Sequence, residues 1–481
     1  MKRLLRRGVT GLTATTLIFT GLLGARSVLG QGTPRLTLPT ETEAEAAERD
    51  EWIDLLSAES IHTWNTQNAE QMQPGVQQAS YTPVCAPKCK PEPDGLKVGK
   101  FRFVPYGTIW ADAAFSTGRT VPGRFALWIA SEEQQGESAL EFDARRSRIG
   151  VDVFGPDIAC FRSGAKIEVD FLGNFVTDNQ PDVRLRHAYW EAKNDNARFL
   201  VGQTWDVVSP LLPNTVSFPV NWAAGNIGFR RTQARIERYF DLGSNTTWTL
   251  QGAVAQNIIQ DLASGANAVG VTRETGNWPM VQGRSAITFG NIAAGGQTLA
   301  FGLSGHIGET GFDFSTGHVA NPALGPEDDV RIETWSANID AKIPLTERLS
   351  FQGEFFTGAN LSNLLGGIGQ GVCPCLRVPI DTTGGWGELS YVLTKKATAH
   401  MGYSIDDPDD NDSLLGRTKN QVIYTNIFYK VTDDLTTGFE VSSWRTDYHN
   451  RTDEPGYVYQ PNAPTEPGKA VLFDWTLRYK F

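Results

Sequence analysis

The sequence predicts an all-β fold: a sixteen-stranded antiparallel transmembrane β-barrel with a short N-terminal helical periplasmic segment. Three observations predict it. From Lys100 onward, short runs alternate apolar with polar residues and are punctuated by Gly, Asn, Asp and Pro, a strand signature. Connections between the runs are by turns short and long, as in an up-and-down barrel with short periplasmic turns and long external loops, and a soluble sandwich has no reason to do this strictly. An export leader precedes the runs, yet no later stretch approaches the roughly 20 apolar residues of a spanning helix.

Residues 1–30 read as a signal peptide. MKRLLRR (1–7) is basic, GVTGLTATTLIFTGLLG (8–24) is apolar, and Val28, Leu29 and Gly30 offer small residues before Gln31. The apolar run is short, broken by Gly and Thr, and lacks a stop-transfer flank, which argues against a membrane anchor. Its removal takes away five basic residues and no acidic one, moving the formal net charge from −11 to −16. Such acidity argues against a nucleic-acid partner.

Residues 31–99 form the N-terminal segment. Within 40–72, helix formers carry Trp52, Ile53, Leu55, Leu56, Ile61 and Trp64 roughly on one side, either a short amphipathic helix or a solvated acidic arm. Residues 73–99, with Pro, Lys, Cys85 and Cys89, read as a linker. Cys85 with Cys89, and Cys373 with Cys375, could each close a local bridge in an oxidising compartment or remain thiols, while Cys160 has no evident partner. Neither pair has zinc-knuckle spacing, and no metal or other cofactor is expected.

The barrel occupies 100–481. Its first strand is 100–116. The second, 140–154, sets Arg146, Arg148 and Asp152 against Ile149, Val151 and Val153; the third, 159–172, sets Lys166, Glu168 and Asp170 against Ile167, Val169 and Phe171. On the fourth, 182–193, Arg184 and Arg186 oppose Val183 and Leu185. After the fifth, 198–206, the sixth, 232–240, continues the basic set with Arg231 and Arg235 opposite Ala234 and Ile236. Strands at 246–256, 280–289 and 298–308 lead to the tenth, 331–344, where Trp335, Ala337, Ile339, Ala341 and Ile343 alternate with Thr334, Ser336, Asn338, Asp340 and Lys342. The remainder are 348–358, 385–393, 397–406, 421–431, 435–448 and 470–481. Trp110, Tyr239, Trp248, Trp386, Tyr403, Tyr429 and Trp475 lie near strand ends, where interfacial girdles would use them.

A charge facing lipid at midplane costs roughly 2–4 kcal/mol, so the charged faces should point into the lumen. There, adjoining cations and acids would either orient polar solutes and favour anions, or pair to brace the wall. The loop after the fifth strand, VVSPLLPNTVSFPVNWAAGNIG (207–228), carries Leu211, Leu212, Val216, Phe218, Val220 and Trp222, too apolar for a solvated external loop. It should fold inward and narrow the pore opposite the Arg-bearing wall, or else pack at a subunit contact. DDPDDND (406–412) reads as a solvated external loop, lacking the Gly and terminal Glu of a calcium-binding hand. The six His are scattered, and no phosphate loop, His-Glu-x-x-His helix or Gly-x-Ser-x-Gly elbow occurs, so catalysis is not expected.

Four ordered blocks, ARRSRIGVDV (144–153), KIEVDFLGN (166–174), RLRHAYWEA (184–192) and FLVGQTWDVVSP (199–210), resemble the DcaP-like outer-membrane porins. That resemblance implies a sixteen-stranded homotrimeric porin with an inward third external loop, uptake of small anionic solutes such as dicarboxylates, and Arg146, Arg148, Arg184 and Arg186 lining the pore. The family's periplasmic coiled coil is not matched by 40–72, and the Cys-Pro-Cys loop lies outside the family pattern. The resulting expectation is an exported outer-membrane channel for passive diffusion of small hydrophilic, anionic solutes, with a constriction made by Arg146, Arg148, Arg184, Arg186, Arg231, Arg235, Glu168 and Asp170 facing Leu211, Phe218 and Trp222. Two other readings are a phosphate-type anion porin, which Glu168 and Asp170 oppose, and a structural or adhesion barrel whose N-terminal arm binds a partner or the cell wall. The final strand places Val471, Phe473, Trp475, Leu477 and Tyr479 against lipid and Asp474, Thr476, Arg478 and Lys480 toward the lumen. Phe481 resembles the terminal aromatic by which the barrel-assembly machinery recognises its clients.

Overall fold

The computed structural model describes residues 95–481 apart from 135, 174–179, 244, 258–270, 291–297, 315–320 and 452–456. The signal peptide, the 40–72 segment, Cys85 and Cys89 lie outside the described residues.

Alternation becomes a wall of sixteen strands. They are β1 (Phe101–Ser116), β2 (Ala139–Asp143 continued by Arg148–Phe154), β3 (Arg162–Asp170), β4 (Arg184–Lys193), β5 (Ala197–Trp205), β6 (Arg230–Asp241), β7 (Thr246–Ala255) and β8 (Met280–Phe289). The circuit continues with β9 (Leu299–Phe314), β10 (Glu327–Pro344), β11 (Leu349–Ala359), β12 (Asp381–Val392), β13 (Ala397–Pro408), β14 (Leu415–Lys430), β15 (Leu435–Asn450) and β16 (Gly468–Lys480). Each pairs antiparallel with its neighbours, and β16 returns to β1 from Thr108↔Lys480 to Ser116↔Leu472. Closure leaves no open edge, so every ladder group finds a partner without water. The shortest unbroken strands, β3 and β5, have 9 residues, about the length a tilted strand needs to cross a bilayer.

Connections at one end are 155–161, 194–196, 242–245, 290–298, 345–348, 393–396 and 431–434; at the other they include 117–138, 206–229, 256–279, 360–380 and 451–467. The expected alternation of short and long therefore holds for most connections, the exception being 409–414, which is shorter than 155–161 and 290–298 at the opposite end. Leu96–Val98 adds a short hairpin to β1, and Val271–Thr275 pairs with the outer part of β9.

Burial is inverted relative to a water-soluble barrel. On β10, Thr334, Ser336, Asn338 and Asp340 are buried, whereas Trp335 and Ile339 are exposed, the latter at 52%. The same holds on β16, where Asp474 and Thr476 are buried and Phe473, Trp475 and Tyr479 are exposed. Lipid, not water, is the medium that stabilises such an exterior. A strand number of this size leaves a lumen too wide for wall side chains alone to fill.

Three expectations are corrected. The second strand is not continuous: Arg145 donates through its backbone N–H and Nε to Asp143 Oδ1 and Oδ2, 2.6 and 2.7 Å, and Ser147 N–H donates to Ala144 O, 3.0 Å. These local bonds compete with the ladder, so Arg146 sits in the break and not on a strand face with Arg148. On β4 a bulge opposite Glu168 and Val169 lets Arg186 and His187 both turn inward. Trp110, Tyr239 and Trp386 are not girdle residues; Trp110 and Trp386 are buried, the latter hydrogen-bonding Glu354, and Tyr239 hydrogen-bonds the buried Glu237. Trp248, Tyr403, Tyr429 and Trp475 do face outward.

Candidate functional site: the loop-filled lumen

Loop 206–229 begins and ends at one clamp. Asp206 N–H donates to Phe229 O, 2.8 Å, and Phe229 N–H donates to Asp206 Oδ2, 2.9 Å. Arg231 and Gln282 bind the same carboxylate, both at 2.6 Å. From this stem the loop crosses the lumen, and its backbone must find partners because it is buried.

The wall supplies them. Val207 N–H donates to Gln282 Oε1, Leu211 N–H to Glu354 Oε1, Asn214 N–H to Glu388 Oε2 and Val216 N–H to Glu440 Oε2, each at 2.7 Å. Asn214 Nδ2 adds a 2.6 Å bond to Glu388. Carbonyls are met in turn: Arg146 Nη1 donates to Val216 O at 2.8 Å, Asn420 Nδ2 to Ala223 O at 2.8 Å and Ser404 Oγ to Ala224 O at 2.5 Å. Pro210, Pro213 and Pro219 remove three donors that would otherwise need acceptors. Gly225, at φ +114°, approaches Gly385 and Ile405 so closely that a Cβ would meet their carbonyl oxygens.

Leu211, Phe218 and Trp222 are all buried there. Two further loops share the space. Phe125–Ala130 of loop 117–138 is buried throughout, as are Leu361, Leu364, Leu365 and Ile368 of loop 360–380. Phe125, Trp128, Trp205, Phe218, Trp222 and Leu365 belong to one apolar core inside the barrel mouth. Ring centres of Phe125 and Phe218 are 5.0 Å apart, and those of Trp222 and Phe229 are 5.4 Å apart. Sequence reasoning missed these two partners, although the runs FALWIA (125–130) and LSNLLGGIG (361–369) carry the same apolar signal within connections.

The charged wall lies beside this core. Arg184 donates bidentately to Asp170, at 3.0 and 2.6 Å, and Arg186 bridges Glu168 and Asp170 at 2.5 and 3.0 Å. Arg146 pairs with Asp112 at 3.3 Å, and Arg148 stacks 4.8 Å from the Trp110 ring centre. Arg146, Arg148, Arg184, Arg186, Glu168 and Asp170 are thus brought together. Arg231 is held at the loop stem, while Arg235 joins a lower network with Gln233, Glu237 and Arg198. Expected as lining residues, these arginines are largely engaged by carboxylates, the wall-bracing alternative that the pattern left open. Asp112, Glu354, Glu388 and Glu440 went unnoticed because their partners are far away in the chain, and Arg230, stacked on Trp205 and on its neighbour Phe229, was also passed over.

Elsewhere, Phe481 exchanges backbone bonds with Gly107, 3.0 and 3.1 Å, and closes the seam. Cys373 and Cys375 form a disulfide within loop 360–380, and Cys160 is exposed in connection 155–161. Asp406 is buried, accepting the Ile368 N–H and the Thr382 hydroxyl, and Asp406, Asp407 and Pro408 belong to β13, so only 409–412 of DDPDDND is loop, a correction of the expected boundary.

No protein-family model and no curated protein sequence matches the chain. Solved structures do. The outer membrane channel DcaP of Acinetobacter baumannii aligns over 80% of this chain and 99% of its own, at 17% identity and a TM-score of 0.60. An anion-selective porin from Comamonas acidovorans aligns over 79% and 100%, at 11% identity and 0.49, and OmpT of Vibrio cholerae over 81% and 100%, at 12% identity and 0.48. The closed barrel of this chain therefore has the fold of DcaP, the outer membrane channel whose family the four blocks between Ala144 and Pro210 resemble.

Proposed function

We propose that the chain is an outer-membrane porin through which small hydrophilic, anionic solutes diffuse passively, past a constriction formed between loop 206–229 and the wall of Arg146, Arg148, Arg184 and Arg186. The observation that carries this reading is the loop's course across the lumen of an inside-out barrel, held by Glu354, Glu388 and Glu440 on one side and Arg146 on another. A structural or adhesion barrel has no need for an inward loop facing a charged wall.

Anion preference is supported by a local excess of cations. Arg148, Arg184, Arg186 and Arg230 share Glu168 and Asp170 as their near acids. Export by the 1–30 signal, insertion by the barrel-assembly machinery through Phe481 and assembly as a homotrimer in the outer-membrane lipid belong to the same reading. Among similar barrels, OmpT of Vibrio cholerae folded in vitro occurs in a trimer form.

Swelling of liposomes holding the purified chain tests it. Small dicarboxylates should enter faster than neutral sugars of similar size. No swelling with any solute would overturn the porin reading, and equal rates would overturn the anion preference.

A further inference from the structure

Arg230 opens β6, directly after the last residue of loop 206–229, and is 4% exposed. Its guanidinium lies 4.5 Å from the Trp205 ring centre and 4.9 Å from that of Phe229, the two residues that flank the loop stem. The rings attract the cation through their faces but leave its N–H fork unmet. Nη2 has no hydrogen-bond partner, and among the described residues no carboxylate lies within ion-pairing distance of Arg230.

Electrostatics sharpen the anomaly. Arg148, Arg184 and Arg186 all act on Arg230, and its near acid, Asp170, is already bound to Arg184 and Arg186. A buried charge without a partner is costly, and more so beside like charges. An oxyanion would supply the partner that this guanidinium lacks among the described residues. The guanidinium fork is shaped to take two oxygens of one group, and the Arg184 side chain in the same cluster keeps 17% exposure.

We propose that Arg230 is the recognition point for the oxyanion of a passing solute, a carboxylate, sulfate or phosphate group, at the stem of loop 206–229. This deepens the porin reading and rests on it. Because Trp205 and Phe229 frame the site while Asp206 and Phe229 clamp the stem, an occupied site also steadies the loop.

Purified protein in planar bilayers, bathed in potassium chloride and titrated with potassium sulfate, tests the site. Sulfate should reduce the chloride current saturably. Arg230→Gln should raise the half-inhibiting concentration at least tenfold, Arg230→Lys should raise it less, and Arg238→Gln, outward-facing on the same strand, should leave it unchanged. If Arg230→Gln does not assemble, as read by heat-modifiable electrophoretic mobility, Arg230→Lys carries the comparison. A conducting wild type that sulfate does not inhibit, or variants inhibited as strongly as wild type, would overturn the site while leaving the porin reading intact. If nothing conducts, the porin reading fails, and the site is read separately: sulfate should raise the thermal unfolding midpoint of wild type in detergent and not that of Arg230→Gln, and equal shifts would overturn it.

Discussion

Glu440 on β15 accepts the backbone N–H of Val216 at 2.7 Å, across 224 residues of sequence, and also the Ser217 N–H at 3.4 Å. Leaving a buried backbone N–H without its acceptor costs about 1–3 kcal/mol, so the loop is held most firmly where Glu354, Glu388 and Glu440 meet it. In Glu440→Gln one acceptor position becomes an amide donor facing an N–H. The loop should loosen at that anchor. Single-channel recordings should show a larger and noisier open level, more so for Glu388→Gln with Glu440→Gln, and an unchanged record would mean that the apolar core alone holds the loop.

Asp170→Asn tests the charged wall. The substitution deprives Arg184 and Arg186 of a shared carboxylate and leaves more positive charge in the lumen. Breaking a buried pair on one side costs about 3–5 kcal/mol, so urea should unfold the variant earlier while anion preference rises. Unfolding titrations and reversal potentials check the two effects separately.

How much of this was legible in the sequence depends on the range of the interaction. Wall strands were readable because each residue sees only two media, and the period of two reports which one, as Trp335 and Ser336 do on β10. Loop 206–229 was readable because Leu211, Phe218 and Trp222 would be out of place in water. The break in β2 was hidden because 140–154 keeps its alternation while Asp143 captures the Arg145 N–H. Girdle assignments for Trp110 and Trp386 failed because both lie in mid-strand on the inward face, where each fills the lumen beside an ionic partner. Pairings such as Arg146 with Asp112, or Val216 with Glu440, depend on closure of the whole barrel and leave no local mark.

The inverted wall makes a plain thermodynamic statement. Ile339→Arg places a charge on the lipid face and should lower the stability of the folded barrel in vesicles by about 2–4 kcal/mol if it sits near the bilayer midplane. Ser336→Ala, one register position away from Trp335 and facing inward, should cost far less. Urea titrations in lipid vesicles give both numbers, and equal costs would contradict the assignment of faces.

At the seam, Phe481 pairs with Gly107, whose missing side chain leaves room for the Phe481 ring. Deleting Phe481 should reduce the heat-modifiable, assembled form in membranes, whereas Phe481→Tyr should keep it. Normal assembly of the deletion would remove the terminal residue from the account.

Reversal potential across a planar bilayer, under a potassium chloride gradient, tests the central claim most directly. The wild type should give a steady ohmic conductance with chloride more permeant than potassium, and Arg184→Gln with Arg186→Gln should move the potential toward cation preference, because Glu168 and Asp170 then lose their partners. A barrel that inserts without conducting, or one that conducts with cation preference in the wild type, would contradict it.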